Sequence, residues 1–185
     1  MSYHRHLRIA LLSDTHGVLD GRVAAVIEGS DWIVHAGDIG NAEVLHQLAR
    51  LGDKLVAVRG NNDTPSHWPQ QDHAILTALP HERSIALPGG ELLVLHGHRI
   101  NPAAQRHSRL RERYPAARAV VYGHSHRLVE DIEQGPWVLN PGAAGRARTH
   151  GGPSCLILQV KAGQWHVEHH RFVPKSVTTR STRKR

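Results

Sequence analysis

Leu11-Leu12-Ser13-Asp14-Thr15-His16-Gly17 is the stretch from which the fold can be read. An apolar run (Leu7, Ile9, Ala10, Leu11, Leu12) has the composition of a buried strand. It stops at a carboxylate and an imidazole two residues apart, with glycine next. In open α/β sheets ligands gather at the carboxyl ends of strands, where loops project polar groups from a fixed base. One Asp-x-His among 17 histidines says little. Its weight comes from later strands that end the same way.

Working outward, Leu19 to Gly29 carries Leu19, Val23, Val26 and Ile27 at helical spacing. The second strand, Asp31 to Ala36, closes on Gly37-Asp38. A helix from Asn41 or Ala42 to Leu51 turns Val44, Leu45 and Leu48 inward and stops at Gly52. The third strand, Lys54 to Arg59, closes on Gly60-Asn61-Asn62-Asp63. This β-α-β-α-β order with short connections predicts a parallel sheet with right-handed crossovers.

Thr64 to His81 is a long loop, with one turn around Ala74 to Ala78, that reads equally as a cover over a site or as an ordinary excursion. Arg83–Leu87 and Glu91–Leu95 read as a hairpin whose second strand ends in His96-Gly97-His98. A helix runs from Pro102 to Tyr114. The strand Ala119 to Tyr122 then ends in Gly123-His124-Ser125-His126. Four strands complete the chain (128–133, 136–139, 155–160 and 165–172). An α/β first half followed by a meander predicts two sheets face to face with helices outside.

Length and charge set the outer limits. The 185 residues suit one domain at 1–174 and a basic tail at 175–185, which lacks the apolar residues to pack and is expected to be disordered. The formal charge is +7, and five of those charges (Lys175, Arg180, Arg183, Lys184, Arg185) fall in the tail. The body is therefore nearly neutral and is no nucleic-acid platform by charge alone. The tail reads first as a solubilising terminus and second as a polyanion-binding arm. No apolar run approaches the roughly 20 residues that span a bilayer, and Met1 to His6 lacks a secretory core, so a cytoplasmic protein without membrane partners is expected. Cys155, within a strand-like run, reads as core.

Five strand ends thus carry Asp14 and His16, Asp38, Asn61, His96 and His98, and His124 and His126, with glycines adjoining them. Carboxylates, imidazoles and an amide without thiolate suit divalent manganese, iron, cobalt, nickel or zinc. The groups are too many for one ion. With Asp38 shared, two ions would each have three or four protein ligands and open positions for water. Two ions about 3.5–4 Å apart are an arrangement for hydrolysing phosphate esters: a water between them deprotonates near neutral pH and attacks in line.

Asp14-Thr15-His16, Gly37-Asp38, Gly60-Asn61-Asn62-Asp63, His96-Gly97-His98 and Gly123-His124-Ser125-His126 together resemble the signature set of the calcineurin-like metallophosphoesterases. The size and the Asn-x-Asp form of the third motif are most similar to the small YfcE-type phosphodiesterases. The resemblance covers residues 7 to 172. It implies an α/β protein, a four-layer α/β/β/α sandwich of two mixed sheets flanked by helices. It also implies a first metal on Asp14, His16 and His126 and a second on Asn61, His96 and His124, with Asp38 bridging and manganese the first choice of metal. His35 would support the shell, and Asn140-Pro141-Gly142 would form a turn beside the site, with Ala143 where many relatives have serine.

One departure bears on mechanism. Larger members of the family place a histidine directly after the motif asparagine to protonate the leaving group, and here that position is Asn62. Asp63 or His98 could substitute, with fixing the loop as the alternative role for Asp63. Loss of general-acid help costs about 10²–10⁴-fold on poor leaving groups, so activated aryl diesters should turn over faster than alkyl ones. The expected substrate is a small phosphate ester, a diester first and a monoester second. The rival readings are a non-catalytic scaffold like the sorting subunit Vps29, and a nuclease or cyclic-nucleotide phosphodiesterase using the tail with Arg59, Arg99, Arg106, Arg146 and Arg148. The intact ligand set favours the enzyme. Strand edges in the second half suggest a homodimer.

Overall fold

Strand β1 (Leu7–Leu12) shows the layering by itself. Its side chains alternate: Ile9 and Leu11 join one buried cluster, Ala10 and Leu12 another. A strand covered on both faces must lie inside a layered α/β fold. The computed structural model describes residues 6–146 and 148–174; the basic tail expected at 175–185 lies outside them.

In chain order β1 is followed by α1 (Gly21–Ile27), β2 (Trp32–His35), α2 (Ala42–Leu51), β3 (Leu55–Ala57) and α3 (His73–Ala78). Then come β4 (Glu82–Leu87), β5 (Gly90–Leu95), α4 (Arg106–Arg113) and β6 (Ala119–Val121). The chain closes with β7 (Leu128–Asp131), β8 (Trp137–Pro141), β9 (Ser154–Lys161) and β10 (Gln164–Arg171). One sheet has the order β10-β9-β1-β2-β3 and the other β4-β5-β6-β8-β7. Ile9, Leu11, Val34, Leu156 and Leu158 of the first meet Leu92, Val94, Val121 and Leu139 of the second. Outside the first sheet, Val23, Ile27, Val44, Leu48 and Leu76 cover Ala10, Leu12, Ile33 and Ile157. Outside the second, Leu110 of α4 packs on Leu93, Leu95, Val120 and Val138. The result is the expected four-layer α/β/β/α sandwich of two mixed sheets.

The last four strands do not form one meander. β7 and β8 pair in the second sheet, with β8 parallel to β6. β9 crosses to the first sheet and runs antiparallel to β1 and β10. The residues give the reason: Cys155 to Leu158 are fully buried, so β9 needs a partner on each edge and cover on each face. Cys155 is part of this core, and burial pushes its thiol up to about 12, which leaves it unreactive as a nucleophile.

The segment between β3 and β4 is anchored rather than loose. It carries α3, and Trp68 and Leu76 are buried under the first sheet's helical layer. No helix among the described residues is long and apolar enough to cross a membrane.

Parallel pairing fixes where function can sit. β1, β2 and β3 run parallel in one sheet, and β5 and β6 in the other. Their carboxyl ends lead into residues 13–17, 36–40, 58–63, 96–100 and 123–126, the five segments that carry the ligand-type side chains.

Candidate metal centre

The backbone at these strand ends is bent in a way that side chains normally resist. Asp14, His16, Asp38, His124 and His126 all have φ between 46° and 64°. They are five of the seven non-glycine residues with positive φ among the described residues, and Arg148 is a sixth, also at the site. Such strain costs of order 1–3 kcal/mol each and persists where the surroundings hold it. Here the holding bonds run between loops: Asp14 N–H to Gly37 O, His16 N–H to Asp38 O, and Gly17 N–H to Ile39 O.

The side chains meet. Asp14, His16, Asp38 and His126 can offer ligand atoms within 4.8 Å of one another. His126 Nε2 lies 3.2 Å from Asp14 Oδ1, and His16 Nε2 lies 4.0 Å from Asp14 Oδ1 and 3.9 Å from Asp38 Oδ2. On the other side of Asp38, the same Oδ2 is 3.3 Å from His96 Nε2, which is 3.1 Å from Asn61 Oδ1. The His124 ring sits edge-on to His96, centroids 5.3 Å apart. All seven expected ligands therefore fall in one continuous cluster with Asp38 at its middle.

The donor chemistry fits cations. Asp14 is fully buried, its Oδ2 accepts from Ser13 Oγ and His124 N, and its Oδ1 has no hydrogen-bond partner. A buried carboxylate oxygen left without a donor is costly, and a cation would satisfy it. His96 Nδ1–H donates to Ala36 O at 2.8 Å and His126 Nδ1–H to Arg148 O at 3.1 Å, turning both Nε2 atoms inward. Burial lowers the pKa of His16 and His124, against the pull of the Asp14 and Asp38 carboxylates, which favours the neutral imidazole that a cation needs. Burial opposes charge on Asp38, yet hydrogen bonds from His96 and Asn62 outweigh it and hold the carboxyl below the usual range. His96 is opposed by burial as well, and its pairing with Asp38 leaves its pKa raised.

Asn62 and the two residues considered for proton transfer, Asp63 and His98, sit differently. Asn62 donates from N to Asp38 Oδ1 (2.8 Å) and from Nδ2 to Asp38 Oδ2 (2.6 Å), so it clamps that carboxylate. Asp63 is fully buried and accepts from the backbone of Ile39, Gly40 and Gly60 and from Trp68 Nε1. Its oxygens are taken up in bracing the loops around Asp38. His98 is beside His124, ring centroids 6.2 Å apart, and burial with nearby His96, Arg99 and His124 pushes its pKa down to about 4.

Sequence reasoning underweighted several residues. Gly37 N–H donates to His35 Nδ1, His35 Nε2–H to Thr15 Oγ1, and Thr15 Oγ1–H to Ile39 O, a relay that staples the first two loops. Asn140 donates to Gly123 O and Ser125 Oγ and accepts from Gly142 N, bracing the turn that carries His124. Arg148 has a larger part than its place among candidate polyanion contacts suggested: its Nη2 donates to His16 Nε2 at 3.1 Å. Of the other arginines in that set, Arg106 is not available to a ligand. It is buried, donates to Ile100 O, and lies over the Tyr122 ring. Arg59 is held on Asp63 O.

His35 carries a testable pH dependence. It is fully buried, and desolvation pushes its pKa down to about 4 from 6.5. The unfolded chain then binds a proton that the folded chain refuses, so stability falls as pH drops from about 6.5 towards 4. At pH 5 this group costs about 2 kcal/mol relative to pH 8. Urea melts of the wild type and His35→Gln at both pH values should differ by that amount, and parallel pH profiles would refute it.

With this geometry in view, similarity to known proteins becomes informative. Residues 7–163 match the model of the calcineurin-like phosphoesterase superfamily domain. The chain is 28% identical to phosphodiesterase YfcE of Escherichia coli (strain K12) over 162 residues, 74% of this chain and 79% of that protein. Among solved structures, a Vps29 single mutant from Entamoeba histolytica superposes with a TM-score of 0.71 at 17% identity, covering 90% of this chain and 99% of that one. A structure described as a novel archaeal phosphodiesterase superposes with a TM-score of 0.66 at 21% identity, covering 89% and 100%. These structures share the fold. The family match, running from β1 into the β9–β10 turn, is what establishes kinship: the chain belongs to the calcineurin-like phosphoesterase superfamily.

Proposed function

We propose that this protein is a dinuclear phosphodiesterase whose metals are held by Asp14, His16 and His126 on one side and Asn61, His96 and His124 on the other, with Asp38 shared. Membership of the superfamily makes the chain a metal-dependent phosphoesterase. The observation that carries the finer reading is Asp38 Oδ2, set between His16 Nε2 at 3.9 Å and His96 Nε2 at 3.3 Å. When bound, two divalent ions supply a deprotonated water near neutral pH and draw charge from the phosphoryl oxygens. Manganese is our first choice, with iron, nickel, cobalt or zinc also suited to this donor set.

The chain's own residues do the rest. Asn62 fixes both oxygens of Asp38, and the carbonyls of Ala36 and Arg148 fix the rings of His96 and His126. The Arg148 guanidinium, now on His16 Nε2, is placed to turn its donors to a non-bridging phosphoryl oxygen once that nitrogen is a ligand. Neither Asp63, tied up in loop hydrogen bonds, nor His98, with a pKa near 4, offers a ready proton to the leaving alcohol at neutral pH. The alcohol therefore leaves on its own acidity.

Bis(p-nitrophenyl) phosphate should be hydrolysed with added Mn²⁺, and diesters with alkyl leaving groups about 10²-fold or more slower. Equal rates with chemistry limiting would defeat the account of the leaving group. Absence of hydrolysis with all five metals would favour the scaffold reading suggested by the Vps29 fold. The open edges of β7 and β10 suit a homodimer, which we include in the proposal.

A further inference from the structure

An open groove lies beside the metal-ligand candidates rather than over them. It encloses about 770 Å³ between the 99–101 turn and the exposed face of α4, a size typical of small-molecule sites. Its wall carries the guanidinium groups of Arg99, Arg109 and Arg113 with the amides of Asn101 and Gln105 and the Ser108 hydroxyl; Glu112 is its one acid. Such a lining offers many donors and few acceptors, and it is charged for an anion rather than shaped for an apolar ring.

The cations are unevenly compensated. Arg113 lies 3.9 Å from Glu82 Oε2. Arg99 donates to the His81 ring at 3.2 Å, and Arg109 donates to Asn101 O and Gln105 Oε1. Among the described residues neither Arg99 nor Arg109 has a carboxylate partner. Exposed guanidinium groups held by neutral acceptors keep their charge for a ligand, and they bind phosphate in a forked geometry.

The groove also adjoins the turn that carries one of the metal-ligand candidates. Arg99, Ile100 and Arg113 line a second, smaller space of about 50 Å³ whose other walls include His96 and His98. One turn, residues 96–100, thus carries a metal-ligand candidate at its start and a groove arginine near its end. Asn101 Nδ2–H on His98 O and Arg109 on Asn101 O tie that turn to α4.

From this juxtaposition we infer that the groove along α4 binds a second phosphate group of the substrate, so that the preferred esters are small phosphodiesters carrying a further phosphate beyond the scissile one. The inference rests on the phosphodiesterase reading. In the reaction the attacking oxygen bonds to phosphorus, and the alcohol departs with the electrons of the broken P–O bond. The second phosphate is untouched and serves to bind.

Two chromogenic substrates test it: thymidine 5′-(p-nitrophenyl phosphate), and the same compound bearing a 3′-phosphate. With Mn²⁺, the wild type should favour the 3′-phosphorylated diester by about tenfold or more in kcat/KM, mainly through KM, as expected for two or three charge-assisted hydrogen bonds. In R99Q/R109Q that ratio should fall towards one, and in R109Q alone it should fall part of the way. R99K, which keeps the charge, should retain most of it. Thymidine 3′,5′-bisphosphate should inhibit the wild type more strongly than thymidine 5′-phosphate, and equally in the double variant. Hydrolysis of neither diester would remove the phosphodiesterase reading itself. Hydrolysis of both at equal kcat/KM, or a preference that survives R99Q/R109Q, would overturn the groove assignment alone. A single-stranded oligonucleotide that competes better than the bisphosphate, dependent on the same arginines, would overturn it in favour of a nucleic-acid track.

Discussion

Asp38→Asn is expected to lower phosphodiester hydrolysis by about 10³-fold, with bound metal falling below the wild-type content per chain. The substitution keeps size and shape and removes one charge, so packing is not at issue. In the wild type Asp38 Oδ1 accepts from Asn62 N, and Oδ2 accepts from Asn62 Nδ2 while facing His96 and His16. An asparagine can keep the first bond by presenting its oxygen there. It must then turn an NH₂ group towards the Asn62 Nδ2–H, where a donor meets a donor, and it no longer presents an anionic oxygen to His96 and His16. Turning the amide over moves the conflict to the Asn62 backbone N–H. Either way the one anionic oxygen reached from both halves of the cluster is gone. Charge stabilisation of this kind contributes several kcal/mol to phosphoryl transfer, which is a factor of about 10³ in rate. Elemental analysis beside kinetics separates lost metal from impaired chemistry. A variant within tenfold of the wild type, with unchanged metal content, would show that Asp38 is not shared.

How much of this was legible beforehand depended on which interaction fixed each residue. The two sheets and their helices followed from periodicity, because burial acts on every second or every third to fourth residue and leaves a pattern in the sequence. Val44, Leu45 and Leu48 are buried under α2 as their spacing required. The partition of the last four strands was not legible, since pairing partners are set by which edge remains open, and apolar runs such as Cys155 to Leu158 do not name their neighbours. The ligand-type residues were visible because each ends a strand beside glycine. Their supports were less visible: only the family resemblance pointed to His35 and Asn140, which act through hydrogen bonds between separate loops, and nothing placed Arg148 on His16, 132 residues away. Asp63 shows the limit most plainly. Its place in the Gly60-Asn61-Asn62-Asp63 motif left it between proton transfer and fixing the loop, and the four N–H groups pointing at it favour the second.

Gly60→Ala should inactivate the protein nearly as fully as Asp38→Asn, although glycine supplies no ligand atom. A Cβ built on Gly60 would stand 2.1 Å from Asp38 Oδ1, 2.2 Å from Asp38 N and 2.9 Å from Asp38 Cα. The second and third of these are backbone, so no rotamer change relieves them, and one of the two loops must move. Gly60 N–H is fixed on Asp63 Oδ2 at 2.8 Å, and Asp63 also holds Ile39 and Gly40 beside Asp38. Displacing Gly60 therefore pulls on both sides of the clash and carries Asn61 and Asn62 with it. The added methyl should cost about 1–3 kcal/mol of stability as overpacking. The larger effect is on geometry, because Asp38 loses its position between the two groups of proposed ligands, and activity should fall about 10²-fold or more, as follows when reacting groups are displaced by an ångström. Gly21→Ala is the matched control: nothing lies within 4 Å of its Cβ, and it opens α1. There the same methyl should leave activity intact and raise stability by about 0.5–1 kcal/mol, since alanine orders into a helix at lower entropic cost. If Gly60→Ala and Gly21→Ala behave alike in metal content, melting and turnover, the close approach of the two loops is not what holds Asp38 in place.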